Sequence, residues 1–354
     1  MITKYEFGTL GSGEKVYNYT LENRNGMSVT ITEFGGAIVK LCVPDREGRI
    51  SDVAGGYDSL KDYVTGDGYL GALVGRTANR IAKGTFTLDG VTYHLYLNDG
   101  ANSLHGGKVG YSYRVWTARP EDGDEPRLIL TLFSPDGEEN YPGNLNIKVV
   151  YTLTADNALK IAYEATTDKR TPVGMTNHVY FNLGGYASGS IRDHVIWMDA
   201  DTYLPTDKGL IPLGVLHPVE GTPFDFRKPK AIGQDIDADN VDLKIAGGYD
   251  HCFNFVGGAT KEPVKRVTVW DPKSGRFLTV LTDQPSIQLY TGNFLDSDRF
   301  RFKNGCPRVK QTAFCLETQT MPDSINRPNF NNVVLNPGET YTHTVIYKFS
   351  VKEA

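Results

Sequence analysis

A chain of 354 residues is long for one domain and short for three, and its 38 glycines and 18 prolines, spread along the whole length, argue against an all-helical protein. With 40% hydrophobic and 22% charged residues it has the make-up of an ordinary globule that buries a core. The 37 basic and 42 acidic residues leave a net charge of -5 with no basic block, which points away from nucleic acid as a partner.

The first residues, Met1 to Glu14, have no apolar stretch of the kind that directs export, and no run anywhere reaches the ~18 apolar residues of a membrane span. A cytoplasmic protein that does not enter a membrane is expected. Cys42, Cys252, Cys306 and Cys315 form no Cys-x-x-Cys pair and read as reduced, mostly buried thiols.

In chain order, Ser59 to Val64 reads as a short helical piece, with no convincing amphipathic helix elsewhere. Phe86-Thr87-Leu88, then Asp89-Gly90, then Val91 to Leu97 predict a tight hairpin, because Asp-Gly suits a type I′ turn. Leu128, Leu130 and Leu132 alternate with Arg127, Ile129 and Thr131; Leu145, Ile147, Val149 and Tyr151 follow, then Leu159, Ile161, Tyr163 and Ala165. Turn residues separate these runs, so an antiparallel meander of three strands is the simplest wiring. A second hairpin runs from Val267–Trp270 through residues 271–275 into Phe277–Leu281, and Tyr341, His343, Val345, Tyr347, Phe349 and Val351 form one face of a closing strand. No linker or low-complexity run interrupts the pattern. The expected architecture is all-β, one large antiparallel β-sandwich spanning residues 1–354 as a single domain.

Several motifs require weighing. Gly66-Asp67-Gly68-Tyr69-Leu70-Gly71 fits the dinucleotide pattern G-x-G-x-x-G, but that fingerprint works only between a strand and a helix. Irregular chain and a hairpin follow here, so the match is coincidental. The seven histidines, His94, His105, His178, His194, His217, His251 and His343, show no i, i+2 or i, i+4 ligand spacing, and no metal site is expected. His194 and His217 have polar neighbours and are expected to face solvent. His343, on the apolar face of the last strand, reads as a hydrogen-bonded histidine of the core or surface.

Other polar groups sit where a structural reading strains. A strand over Thr176–Leu183 would put His178 and Tyr180 on one face, an imidazole beside a phenol. Glu317 follows four apolar residues, Ala313 to Leu316. Either it ends the strand in water, or it is buried with a raised pKa or a dedicated partner.

Taken together, Val74-Gly75-Arg76-Thr77-Ala78-Asn79-Arg80-Ile81, Asn102-Ser103-Leu104-His105-Gly106-Gly107, Thr176-Asn177-His178-Val179-Tyr180-Phe181-Asn182-Leu183, Tyr249-Asp250-His251 and Glu317-Thr318-Gln319 resemble the aldose 1-epimerase family. The likeness runs from Gly35-Gly36 to Asn336-Pro337-Gly338. It implies a large β-sandwich and interconversion of the α and β anomers of free hexoses, galactose and glucose, without cofactor or metal. It further implies Glu317 as general base and His178 as general acid, with Asn79, Arg80, His105, Tyr180, Asp250 and Gln288 holding the sugar. Arg76, in a setting like that of Arg80, is set aside because Arg80 is the arginine that follows Asn79.

Three other readings stay open. Glu317 and Asp250 would suit a glycosidase. A non-catalytic carbohydrate-binding protein would keep the aromatic and planar polar groups, and a hexose-6-phosphate 1-epimerase would need a basic cluster of which only Arg76 and Arg80 are present. The assembly expected is a monomer or a homodimer.

Overall fold

Among the described residues, the alternating runs form strands that join into three large antiparallel sheets, of five, nine and seven strands. The computed structural model describes residues 1–296 and 299–353. The predicted meander is present: Arg127–Ser134, Leu145–Leu153 and Ala158–Thr167 pair in order within the nine-stranded sheet. Tyr341–Val351 lies between Ala158–Thr167 and Arg276–Thr282 at its centre. Both predicted hairpins form, with Asp89 and Gly90 at φ 53° and 77° as a type I′ turn requires. The short helix is Leu60–Thr65, capped by the Ser59 hydroxyl, which accepts from the Asp62 N–H. A second short helix, Val241–Ala246, was not signalled by periodicity.

Inner-facing residues of the nine-stranded sheet, such as Leu130, Val149, Ile161, Val280 and Tyr347, share one core with Phe253, Ile287, Leu289, Phe314 and Leu316 of the seven-stranded sheet. Burying each such side chain contributes roughly 1.5–3 kcal/mol. Direct bonds cross the same interface: the Tyr347 hydroxyl donates to the Leu316 carbonyl at 3.0 Å, and Phe181 packs on Tyr347 with ring centroids 5.1 Å apart. The sandwich expected from the alternation is therefore what the chain builds.

Two local expectations are corrected. Thr176–Leu183 is not one strand: Thr176–Asn177 pairs with Leu73–Val74, whereas Tyr180–Phe181 pairs with Phe314-Cys315 and with Ala54-Gly55. The chain changes sheets at His178 because its backbone is bonded elsewhere, donating to the Ala72 carbonyl and accepting from the Gly71 N–H. His194 does not face solvent. It is only 2% exposed, because the turn from Ile191 folds its ring inward, where Nε2 accepts from the Leu183 N–H at 3.0 Å. His217 is exposed as expected.

Arg76, the arginine set aside above, is a structural residue. Fully buried, its guanidinium donates to the carbonyls of Pro142 and Gly143 and to the hydroxyls of Thr171 and Ser134, tying three segments of the chain together. The expected core histidine is also in place. His343 bonds Thr318 at 2.8 Å and the Met175 carbonyl at 3.0 Å.

Burial holds His194 and His343 at about 4 and His251 at about 3, all below the ordinary imidazole value. A histidine whose folded pKa is depressed stabilises the fold above its unfolded pKa and loses that contribution as pH falls toward the folded one. Stability should therefore decline between about pH 6.5 and 4 by on the order of 1 kcal/mol per histidine per pH unit, less what the protonation of buried carboxyls returns. Urea denaturation across that window checks this; a midpoint constant from pH 7 to 4 contradicts it.

Candidate active site

In the seven-stranded sheet, the strands Asp250–Phe255, Ser286–Tyr290 and Phe314–Gln319 are buried at every position. Their pleat sends Phe253, Ile287, Leu289, Phe314 and Leu316 into the core. The alternate set, Asp250, Gln288, Tyr290, Cys315 and Glu317, faces the other way. Register brings that set together: Asp250 lies opposite Tyr290, Gln288 opposite Glu317, and Cys315 opposite both Tyr290 and Tyr180. A polar patch on the back of a hydrophobic sheet results, and loops cover it.

The covering loops carry the remaining polar groups. Arg80–Ile81 pairs with Ser103–Leu104, which sets Asn79 against His105. The Asn79 N–H donates to His105 Nδ1 at 3.1 Å, and the Asn79 side-chain oxygen accepts from the Arg80 N–H at 2.8 Å. Tyr69, Asn79 and His105 sit at φ 56°, 62° and 53°, left-handed conformations that cost roughly 1–3 kcal/mol each. Gly106 anchors the last of them: a Cβ there would lie 1.8 Å from the Gly75 carbonyl oxygen, so no other residue permits this approach.

Between sheet and loops lies a pocket of about 510 Å³, lined by Glu317, His178, Asp250, Asn79, Arg80, His105 and Tyr180, seven of the eight residues singled out in the sequence. The eighth, Gln288, is absent from the lining. On the same face of the sheet, opposite Glu317, its side-chain amide donates to Asp250 at 2.7 Å and so supports a pocket residue. Tyr69, Asp99, Asn102, Lys208, Leu210, Tyr290 and Phe294 also line the pocket and were not foreseen. Tyr290 carried a usable signal, two residues after Gln288 on an alternating strand. Lys208 and Leu210 lie in an irregular loop where no periodicity exists to read.

Glu317 Oε1 lies 3.6 Å from His178 Nε2, and both side chains are almost completely buried. Among the described residues, Glu317 Oε2 has no hydrogen-bond partner. Rings enclose the imidazole: His105 and Tyr180 have centroids 5.2 and 5.0 Å away and Tyr69 5.8 Å, with Cys315 Sγ 3.5 Å from His178 Nδ1. Burial, and then the charge of Asp250, push the Glu317 carboxyl well above the usual carboxylate range, with Arg80 opposing. Burial also lowers His178 to about 4. A carboxylate promotes an imidazolium only while charged itself, and here burial favours the neutral form of both partners.

His105, His178 and Glu317 each offer a ligand atom within 4.8 Å of the others, a cluster invisible in the sequence spacing. Its chemistry fits a metal poorly. A ligating histidine presents a lone pair and donates its other N–H outward. The backbone N–H of Asn79 can only donate, so His105 Nδ1 is the acceptor and its Nε2 carries the proton.

The comparisons agree with this geometry. The sequence profile of the aldose 1-epimerase family matches residues 17–348. Galactose mutarotase of Homo sapiens is 45% identical over 350 residues, covering 99% of each chain, and aldose 1-epimerase of Escherichia coli (strain K12) is 39% identical over 93% of this chain and 94% of its own. Among solved structures, galactose 1-epimerase from Lactobacillus acidophilus NCFM superposes with a TM-score of 0.86 at 31% identity, covering 100% of this chain and 99% of that one. The GalM/aldose epimerase homologue from C. elegans gives 0.86 at 30% identity, covering 94% and 98%. With the profile, near-full-length relatives and a shared fold all in agreement, this chain belongs to the aldose 1-epimerase family.

Proposed function

We propose that the protein is an aldose 1-epimerase that interconverts the α and β anomers of free aldohexoses, galactose and glucose among them, through Glu317 and His178. The observation that carries this reading is the buried Glu317–His178 pair, 3.6 Å apart in a pocket lined by planar polar groups and aromatic rings. The site draws on segments from Asn79 to Glu317, which supports reading residues 1–354 as one domain. The four cysteines are free thiols, in keeping with a reducing, cytoplasmic setting.

The reaction needs only proton movement. The neutral pair, carboxylic acid and imidazole, has the same proton count as carboxylate and imidazolium, so passing one proton from Glu317 to His178 creates the reactive form without a change in net charge. Glu317 then takes the proton of the C1 hydroxyl while His178 gives its proton to the ring oxygen. The C1–O5 bond breaks as C1 becomes a carbonyl carbon. Rotation about C1–C2 presents the other face, and the two groups run in reverse to close the ring. Each contributes about 10²–10⁴-fold as a general acid or base. Rotation at C1 requires the rest of the sugar to be anchored, and Asp250, Arg80, Asn79 and His105 offer directional hydrogen bonds while Tyr180 and Tyr290 offer ring faces.

Of the basic residues a phosphorylated hexose would call on, Arg76 is committed to the core and Arg80 is already paired with Asp99 at 2.7 Å, which leaves Lys208 among the lining residues and no basic cluster. That favours a neutral sugar.

Glu317→Gln and His178→Asn should each reduce kcat by about 10²-fold or more while the fold persists. Polarimetry of freshly dissolved α-galactose measures it, and near-wild-type decay in either folded variant overturns the assignment. Asp250→Ala should act mainly on affinity, raising KM for galactose by about 10–100-fold for the loss of a charged hydrogen-bond partner. An unchanged KM removes Asp250 from the anchoring set.

A further inference from the structure

Arg80 and Asp250 face each other across the pocket with Nη1 and Oδ2 3.9 Å apart, beyond hydrogen-bond length. That spacing is unusual for a buried arginine and carboxylate, which would ordinarily close into a two-pronged pair. Each is held by another side chain. Arg80 Nε donates to Asp99 Oδ2 at 2.7 Å, and Asp250 Oδ1 accepts from Gln288 Nε2 at 2.7 Å.

The tether on Arg80 is itself braced. Asp99 and Asn102 exchange backbone hydrogen bonds of 3.1 and 2.9 Å around a two-residue turn. The Asn102 side chain fastens that turn on both sides, accepting from the Lys83 N–H at 3.0 Å and donating to the Gly209 carbonyl at 3.2 Å. The Asp99 carboxylate is therefore supported by its neighbours and does not hang from a free loop tip.

From this arrangement we propose that Asp99 is a positioning residue for sugar binding, which by holding Arg80 at Nε keeps the guanidinium from closing onto Asp250. The inference rests on the reading of the pocket as a sugar site. Kept apart, Arg80 offers its Nη donors and Asp250 its free oxygen to hydroxyls of one substrate. Closed together, the two would satisfy each other, and binding would first have to break a buried ion pair. Asp99 thus acts on affinity through Arg80, without a part in proton transfer.

The test is a double-mutant cycle on galactose. Asp99→Ala should raise KM about tenfold with kcat changed less than about threefold, and Asp99→Asn, which keeps an oxygen for Nε, should lose less. In an Arg80→Ala background, adding Asp99→Ala should change KM by less than about twofold, because the group it positions is gone. A wild-type KM in folded Asp99→Ala overturns the proposal, as does a loss in the double variant equal to the product of the single losses. Calorimetric titration of galactose into Glu317→Gln, alone and combined with Asp99→Ala, reads the same coupling without catalysis. A tenfold weaker affinity in the combined variant is expected and equal affinities count against the proposal, whatever becomes of Glu317 as the base.

Discussion

Glu317 lies in the middle of a strand whose alternate residues close the hydrophobic core, so its carboxyl is fixed on the second face of the seven-stranded sheet. Neither face of that strand reaches solvent. Placing a carboxyl there without a full set of partners is costly, and the surrounding structure answers by lifting its pKa and setting a single imidazole within 3.6 Å. The loops bearing Asn79, His105 and Tyr69 then complete the enclosure in backbone conformations that would be unfavourable alone. Strain in the loops and burial in the strand are two parts of one arrangement, made tolerable by the rigidity of the sandwich beneath.

The same burial sets the Glu317–His178 pair apart from the charged groups of the pocket. Burial favours the neutral forms of Glu317 and His178, whereas Arg80, Asp99, Lys208 and Asp250 bring charged groups to the pocket. Asp250 is itself pushed upward by burial and restrained by Arg80 and by the Gln288 bond. Binding groups of opposite sign held slightly too far apart to satisfy one another, beside an acid–base couple held neutral, suit a substrate that carries many hydroxyls and no charge.

Much of this was legible in the sequence because period-two alternation is a local signal. The meander, both hairpins and the last strand follow from it, and so does the orientation of Glu317 once the strand is known to be buried. Whether that strand ended in water was not legible, since burial of Phe314–Gln319 depends on pairing with Ser286–Tyr290 and on loops from distant parts of the chain. His194 was misjudged for a related reason: its polar neighbours are sequence neighbours, while its ring packs near Phe314. The break at His178 arises from bonds to Gly71 and Ala72, about a hundred residues earlier, beyond any local pattern. The resemblance of short polar motifs reached further than periodicity, naming seven residues that line the pocket and Gln288, which bonds one of them, Asp250.

The central claim is that Glu317 and His178 form a buried pair that holds its proton on the carboxyl until substrate is engaged. Infrared difference spectroscopy at neutral pH, comparing the protein with its Glu317→Gln variant, tests this directly. A protonated carboxylic C=O band that vanishes in the variant is the predicted result. A carboxylate band for Glu317 at neutral pH, titrating in the ordinary carboxylate range, would contradict the account.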